Sequence, residues 1–429
     1  MWYQWLGEAA DAIAYGYRFS ICDSFNHCHF ATRYTLTSSY CLKMGRNVQH
    51  AEKLRIRELL PELFLGKWKP GPLNSITDVP GVLVHTESIQ PDRDVNTGVT
   101  TILPRADWHK YACHAAIFKF NGAGEMTGSH WIDETGTLTS PIILTTNSSI
   151  GEGFRGVYEY VLRYHATPDG DMGLFTFPVI TETYDGYLNK QSRFAVTPEH
   201  VVQGILNASA DAVPEGSTGG GTGMICHRFK GGTGSSSRIV PGLDKDGNSK
   251  NYTVGVLVQA NYGQKEDLCI GGVPVGRILA STETLSSTST APGVQGPLAD
   301  GSIIIIVATD IPLLPVQLQR LAKRATVGLA RVGGYGSNGS GDIFMAFSTA
   351  AKIPMQQFEG GLDPYKPSSV SLETVENESI NGVFEAVADA TEEAIYNVLS
   401  MAETMTGYKG RTVEALDMDK VKEIVTKRM

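Results

Sequence analysis

Across its 429 residues the chain has no uninterrupted apolar stretch near the roughly 20 residues that cross a bilayer, so membrane insertion is not expected. It also has no block of lysine or arginine and no basic stripe interleaved with aromatics. With a net charge of -9, nucleic acid is excluded as the main partner. Cysteine is sparse, and its six copies, Cys22, Cys28, Cys41, Cys113, Cys226 and Cys269, are too scattered to form a disulfide framework. Cys22, His27, Cys28 and His29 are zinc-binding residue types, but their spacing fits no common zinc module and adjacent Cys28 and His29 would chelate awkwardly. No metal is expected. The start, Met1-Trp2-Tyr3-Gln4-Trp5 with Glu8 and Asp11 behind it, lacks the basic and long apolar regions of a secretion signal. A cytoplasmic protein is the expectation. No Pro/Ser linker or charge run divides the chain, which reads as one large α/β unit, residues 54–429, behind an extension of residues 1–53 without clear periodicity.

Glycine, in contrast, is abundant, with 47 copies. The cluster Gly216-Ser217-Thr218-Gly219-Gly220-Gly221-Thr222-Gly223 and the cluster Gly231-Gly232-Thr233-Gly234 could aim backbone N–H groups at an anion. Neither ends in a Walker Lys-Ser/Thr pair or opens a dinucleotide-binding helix, so no cofactor is expected and close backbone packing is the better account. The most informative pair is Gly301-Ser302, set between the loop Pro297-Leu298-Ala299-Asp300 and the apolar run Ile303-Ile304-Ile305-Ile306-Val307. An ordinary serine hydroxyl is a poor nucleophile. A serine at a chain terminus has its own base, an α-amino group with a pKa of roughly 7.7–8.0. Read alone, Gly-Ser simply ends a loop before a core strand.

Apolar runs at 115–120, 142–144, 174–180, 252–259, 303–309 and 343–347 read as strands, several without polar alternation, as for strands covered on both faces. Helical spacing links Val157, Tyr160, Val161 and Tyr164, and also Val201, Ile205 and Ala208 behind the start signal Thr197-Pro198-Glu199. Leu314, Leu318, Leu321 and Ala325 mark one helix face after the 303–309 strand, and the longest helical pattern runs from about 383 to 405. The alternation places the chain among α/β folds without choosing a topology.

The stretch Asp300-Gly301-Ser302-Ile303-Ile304-Ile305-Ile306-Val307-Ala308-Thr309-Asp310 resembles the cleavage-site signature of the L-aminopeptidase/D-Ala-esterase/amidase (DmpA-type) family, which includes the β-peptidyl aminopeptidases. Further matches follow in the family's order: Pro70-Gly71-Pro72-Leu73-Asn74, Glu182-Thr183-Tyr184-Asp185-Gly186, Val258-Gln259-Ala260-Asn261-Tyr262-Gly263, and Gly339-Ser340-Gly341-Asp342. The resemblance implies a four-layered αββα sandwich of the type shared with ornithine acetyltransferase. It implies self-cleavage between Gly301 and Ser302 into 1–301 (54–301 without the extension) and 302–429. It also implies a homotetramer acting on short peptides, amino-acid amides or esters.

The same resemblance distributes roles. Ser302 is the nucleophile. Asn261 matches the family's oxyanion asparagine, although by itself it reads as a cap of the Asn261-Tyr262-Gly263 turn. Tyr184 matches a tyrosine whose hydroxyl reaches the same oxygen, and Glu182 matches the carboxylate that pairs with a free substrate ammonium. Ser340 and Asp342 stand two apart, so an extended segment aims both one way as a relay to the Ser302 amine; the family often shows a longer acidic residue at the second position. Seen locally, Asn338-Gly339-Ser340-Gly341-Asp342 is a hairpin-like turn. Two alternatives stay open: an ornithine acetyltransferase-like acyltransferase, a family with threonine at the nucleophile, and an unprocessed, non-enzymatic ligand-binding relative.

Overall fold

A computed structural model of the chain describes residues 53–286, 301–355, 363 and 365–429, all within the unit Glu52–Met429. Cys22, His27, Cys28 and His29 and the loop 297–300 lie outside the described residues. Two sheets carry the fold. The first contains β1 (Leu83–Ile89), β2 (Thr97–Leu103), β5 (Ile142–Thr146) and β6 (Val179–Thr183), paired in the order β1-β2-β5-β6. The second contains β3 (Tyr111–Gly122), β4 (Thr137–Leu138), β9 (Gly232–Leu243), β10 (Ser249–Tyr262), β11 (Gly301–Thr309) and β12 (Gly341–Pro354), in the order β4-β3-β12-β11-β10-β9. Two-residue strands β7 (Ile225–Cys226) and β8 (Phe229–Lys230) form a small hairpin before β9.

The unalternating run of β11 follows from its place in the sheet interior, with layers on both sides. Successive side chains of a strand face opposite ways. Ile303, Ile305 and Val307 accordingly join Leu318, Leu321, Ala325 and Val387 in one core, under the helices Pro315–Val332 and Asn381–Met401. Ile304, Ile306 and Ala308 join Ile102, Ile142, Leu144 and Val179 in a second core between the sheets. A third core places Val157, Val161, Val201 and Ile205, from the helices Ile150–Tyr164 and Pro198–Asn207, on the outer face of the first sheet, against Val99, Leu103, Ile143 and Ile180. The result is helix, sheet, sheet, helix, the αββα sandwich expected. Each fully buried isoleucine of β11 contributes roughly 1.5–3 kcal/mol, enough in sum to hold this strand rigid.

β11 and β12 are parallel, so the chain must cross over between them. The helix Pro315–Val332 makes that crossover: Pro315 sits in its first turn, where a missing N–H costs nothing, and Gly333 ends it with φ of 115°. The segment 337–342 is therefore no hairpin but the entry to β12, with Ser340 N–H closing a turn on the Ser337 carbonyl at 2.8 Å.

Three element assignments are corrected. The strand expected over 174–180 begins only at Val179. Pro178 has no N–H for a ladder, and Phe175 and Phe177 pack instead on Trp131, with ring centroids 5.4 Å away in each case. The long C-terminal helix ends at Met401, where Ala402 turns extended (ψ 151°), and Met405 belongs to a short strand with Thr406. The helix behind Thr197 likewise stops at Asn207, with Ala208 already extended. No helix among the described residues is long and apolar enough to cross a membrane.

A buried ionic network ties the first described residues to the last long helix. Arg57 and Arg238 both reach the Glu393 carboxylate, each at 2.7 Å, and Arg55 pairs with Glu215 at 2.7 Å. The two arginines hold the Glu393 carboxyl below the ordinary range despite its burial.

Candidate active site

One end of the second sheet gathers residues far apart in the chain. Asn261 of β10 stands opposite Ser302 of β11, and Ser302 in turn stands opposite Gly341 of β12. The Gly341 N–H donates to Ser302 Oγ at 3.1 Å. Immediately before, Gly301 adopts φ of +69°, a region that favours glycine, and a Cβ built there would collide with the Asn261 carbonyl oxygen. Glycine is required at 301 on both counts.

Ser340 and Asp342 do face the same way. Ser340 Oγ–H donates to Asp342 Oδ1 at 2.6 Å, and the same oxygen accepts the Ile303 N–H at 3.2 Å, one residue beyond Ser302. Burial pushes the Asp342 carboxyl up to about 6. The turn ahead of it is clamped by a residue that local sequence reading passes over. Asn121 is opposite Asp342 in the β3–β12 ladder, and its Nδ2 donates to the carbonyls of Ser337 (2.9 Å), Asn338 (3.1 Å) and Ser340.

The Asn261 side chain does not cap its own turn. Its Oδ1 accepts the Ile225 N–H at 2.8 Å and its Nδ2 donates to the Tyr184 carbonyl at 2.9 Å. With the oxygen fixed on β7, the NH₂ faces the other way, and its second proton is one that a ligand can take. Ile225 is held in turn by Lys230, completely buried, whose Nζ donates to the carbonyls of Met224 (2.9 Å) and Gly231 (2.8 Å). Burial lowers the Lys230 amine to about 7, and even the neutral amine has the two protons these carbonyls need. Nothing local in Phe229-Lys230-Gly231 announces a buried lysine.

Glu182 comes from β6 of the opposite sheet. Only 7% exposed, it is no solvated strand-end carboxylate; Oε1 accepts the Glu125 N–H at 3.1 Å, and burial pushes its carboxyl up to about 7. A Cβ on Gly124 would stand 3.2 Å from Glu182 Oε1 and 3.0 Å from Gly341 Cα. The carboxylate thus lies across a bare glycine from the residue that donates to Ser302. Tyr184 enters through its backbone carbonyl, on Asn261; the residue is 42% exposed and its ring lies over Gly186.

The glycine cluster points its amides inward. Gly219 N–H and Gly220 N–H donate to the hydroxyls of Ser88 and Thr100, which fastens this segment to the first sheet. Among the described residues no three or more His, Cys, Asp and Glu side chains gather as a metal site.

A buried serine, an amide with a spare proton, an acid–hydroxyl pair and a carboxylate suited to an ammonium form the equipment of amide hydrolysis. The comparisons with known proteins agree. The model of Peptidase family S58 matches residues 74–413. The β-peptidyl aminopeptidase BapA of Sphingosinicella microcystinivorans is 43% identical over 396 residues, 88% of this chain and 93% of that protein. Its namesake from Sphingosinicella xenopeptidilytica is 38% identical over 371 residues, 84% and 88% of the two. Among solved structures, a Burkholderia sp. β-aminopeptidase superposes with a TM-score of 0.75 at 39% identity, covering 87% of this chain and 99% of that one. The L-aminopeptidase D-Ala-esterase/amidase of Ochrobactrum anthropi, described as a prototype serine aminopeptidase and a variant of the Ntn-hydrolase fold, follows at 0.74 and 38%, covering 87% and 98%. Every residue of the cluster lies inside the matched span, and the chain belongs to peptidase family S58, as a hydrolase of the aminopeptidase kind.

Proposed function

We propose that the protein is a self-processing serine aminopeptidase that releases N-terminal amino acids from short peptides, amino-acid amides or esters. The observation that carries this is the row Asn261, Ser302, Gly341 across three adjacent strands, with the Glu182 carboxylate facing it over Gly124.

In maturation, Ser302 Oγ attacks the Gly301 carbonyl and the acyl group moves from nitrogen to oxygen. Water then hydrolyses the ester, leaving the Gly301 carboxylate and a free Ser302 amine. In turnover that amine takes the hydroxyl proton as Oγ attacks the substrate carbonyl. Asn261 Nδ2–H stabilises the developing oxyanion, joined by the Tyr184 hydroxyl. The leaving amine departs with the proton, and water cleaves the acyl-enzyme. Ser340 and Asp342 orient the base. Glu182 pairs with the substrate ammonium and so selects an unblocked N-terminus. The names of the relatives support a β-amino acid at that terminus among the substrates, and a tetrameric, cytoplasmic enzyme is part of the same reading.

The deciding experiment is a denaturing gel of purified wild-type protein beside an assay on L-, D- and β-aminoacyl p-nitroanilides. Two fragments of sizes set by 1–301 and 302–429, with release of nitroaniline, are expected. A continuous chain that turns over these substrates overturns the reading.

A further inference from the structure

Behind the Ser340–Asp342 pair lies a narrow cleft, wide enough for a single water and lined by Tyr262, Gly263, Gln264, Gly334, Ser340 and Asp342 among others. Tyr262, 5% exposed, carries a buried hydroxyl without a hydrogen-bond partner. Leaving such a group unsatisfied is costly, and buried polar groups in folded proteins almost always find a protein or water partner. Its ring is packed edge-on against His227 at 4.9 Å between centroids, and its edge lies beside Gly334. The hydroxyl therefore cannot swing away to solvent. On the other side of the cleft, the two donors recorded for Asp342, Ser340 Oγ–H and Ile303 N–H, both reach Oδ1. Oδ2 is the oxygen left for a third donor.

We propose that Tyr262 is a positioning residue for the Ser340–Asp342 pair: its hydroxyl donates to one water held in this cleft, and that water donates to Asp342 Oδ2. The inference rests on the catalytic reading above, in which the ionised carboxylate holds Ser340 and, through it, the base. Donors on both oxygens fix the plane of the carboxyl group, and both favour its charged form. The titratable groups packed around Tyr262 and Asp342 are Cys226, His227, Asp267, Tyr335 and Tyr396. His227 is neutral above about pH 4, its imidazole pushed down by burial, so none of these supplies a cation that would take over the role of the donor.

Tyr262→Phe removes the hydroxyl and leaves the ring. In the processed enzyme, kcat for an aminoacyl p-nitroanilide is expected to fall roughly three- to tenfold with KM unchanged. The acidic limb of the kcat–pH profile is expected to move up by about half to one pH unit, since loss of a donor to the carboxylate favours its protonated form. A merely structural tyrosine would change thermal stability and leave that limb in place. A profile of Y262F that superimposes on the wild type overturns the proposal and leaves the aminopeptidase reading standing; a wild type inactive on all aminoacyl p-nitroanilides overturns that reading instead. If Y262F does not fold, a crystal structure of the wild type decides. One water within hydrogen-bond reach of both Tyr262 Oη and Asp342 Oδ2 supports the proposal, and its absence from well-resolved density overturns it.

Discussion

Asn261 and Ser302 face each other as register partners in the β10–β11 ladder, and the Asn261 amide is turned by the Ile225 N–H so that its NH₂ points away from β7. Placement on two interior strands gives the pair a rigidity that loop residues lack. A fixed donor aimed at developing charge is worth most where it need not reorganise.

Replacing Asn261 with Ala should consequently lower kcat by about 10²–10³-fold. KM should hardly change, because the donor acts mainly on the transition state. Steady-state kinetics on an aminoacyl p-nitroanilide measures this; an effect confined to KM would remove Asn261 from the oxyanion role.

Ser302→Ala should give one uncleaved band on a denaturing gel and no hydrolysis. Gly301→Ala should impair processing by a different route. The added methyl meets the Asn261 carbonyl and the residue is held at φ of +69°, so the strand end must shift. Intact mass measurement distinguishes the outcomes, and rapid full cleavage of G301A would contradict the geometry described.

Glu182→Gln should raise KM for substrates with a free amine at least tenfold, with little effect on N-acetylated esters. The wild-type carboxyl titrates near 7 because it is buried. Substrate binding should therefore strengthen as pH rises through about 7, and that dependence should vanish in E182Q. The stability sign is opposite. The folded-state pKa lies above the unfolded value of 4.5, so the folded protein binds more protons between about 4.5 and 7 and loses stability as pH rises through that window. Urea titrations at pH 5 and pH 8 should show E182Q gaining on the wild type at the higher pH, by up to about 3 kcal/mol. No relative gain would mean that the carboxylate is better solvated than its surroundings imply.

Asn121→Ala should loosen the turn 337–340, whose Ser337, Asn338 and Ser340 carbonyls the two protons of its NH₂ group share. A fall in kcat of about tenfold is expected, and little further loss when N121A is combined with S340A, since both act through one unit. Additive losses in that double-mutant cycle would show that Asn121 supports the fold alone.

Much of this was legible in the chain, and the failures have physical causes. The four isoleucines 303–306 announced a strand buried on both faces because only such a strand tolerates apolar residues in unbroken succession. The approach of Ser340 to Asp342 followed from a period of two. The run 174–180 misled because Phe175 and Phe177 are apolar for the sake of Trp131, not of a sheet. Asn121 and Lys230 gave no signal, since their partners are carbonyls brought near only by tertiary packing. Spacing likewise could not tell that Glu182 is buried, because strand-end carboxylates usually meet water.

Because β11 runs between β10 and β12, a scission ahead of Ser302 would leave each polypeptide woven through the other. The earlier half supplies the neighbour on one flank, the later half supplies the neighbour on the other, and Arg57 and Arg238 clasp Glu393 across the cut. Such a nicked molecule would behave as a single folding unit, whose pieces would come apart only when denaturant dissolves the whole.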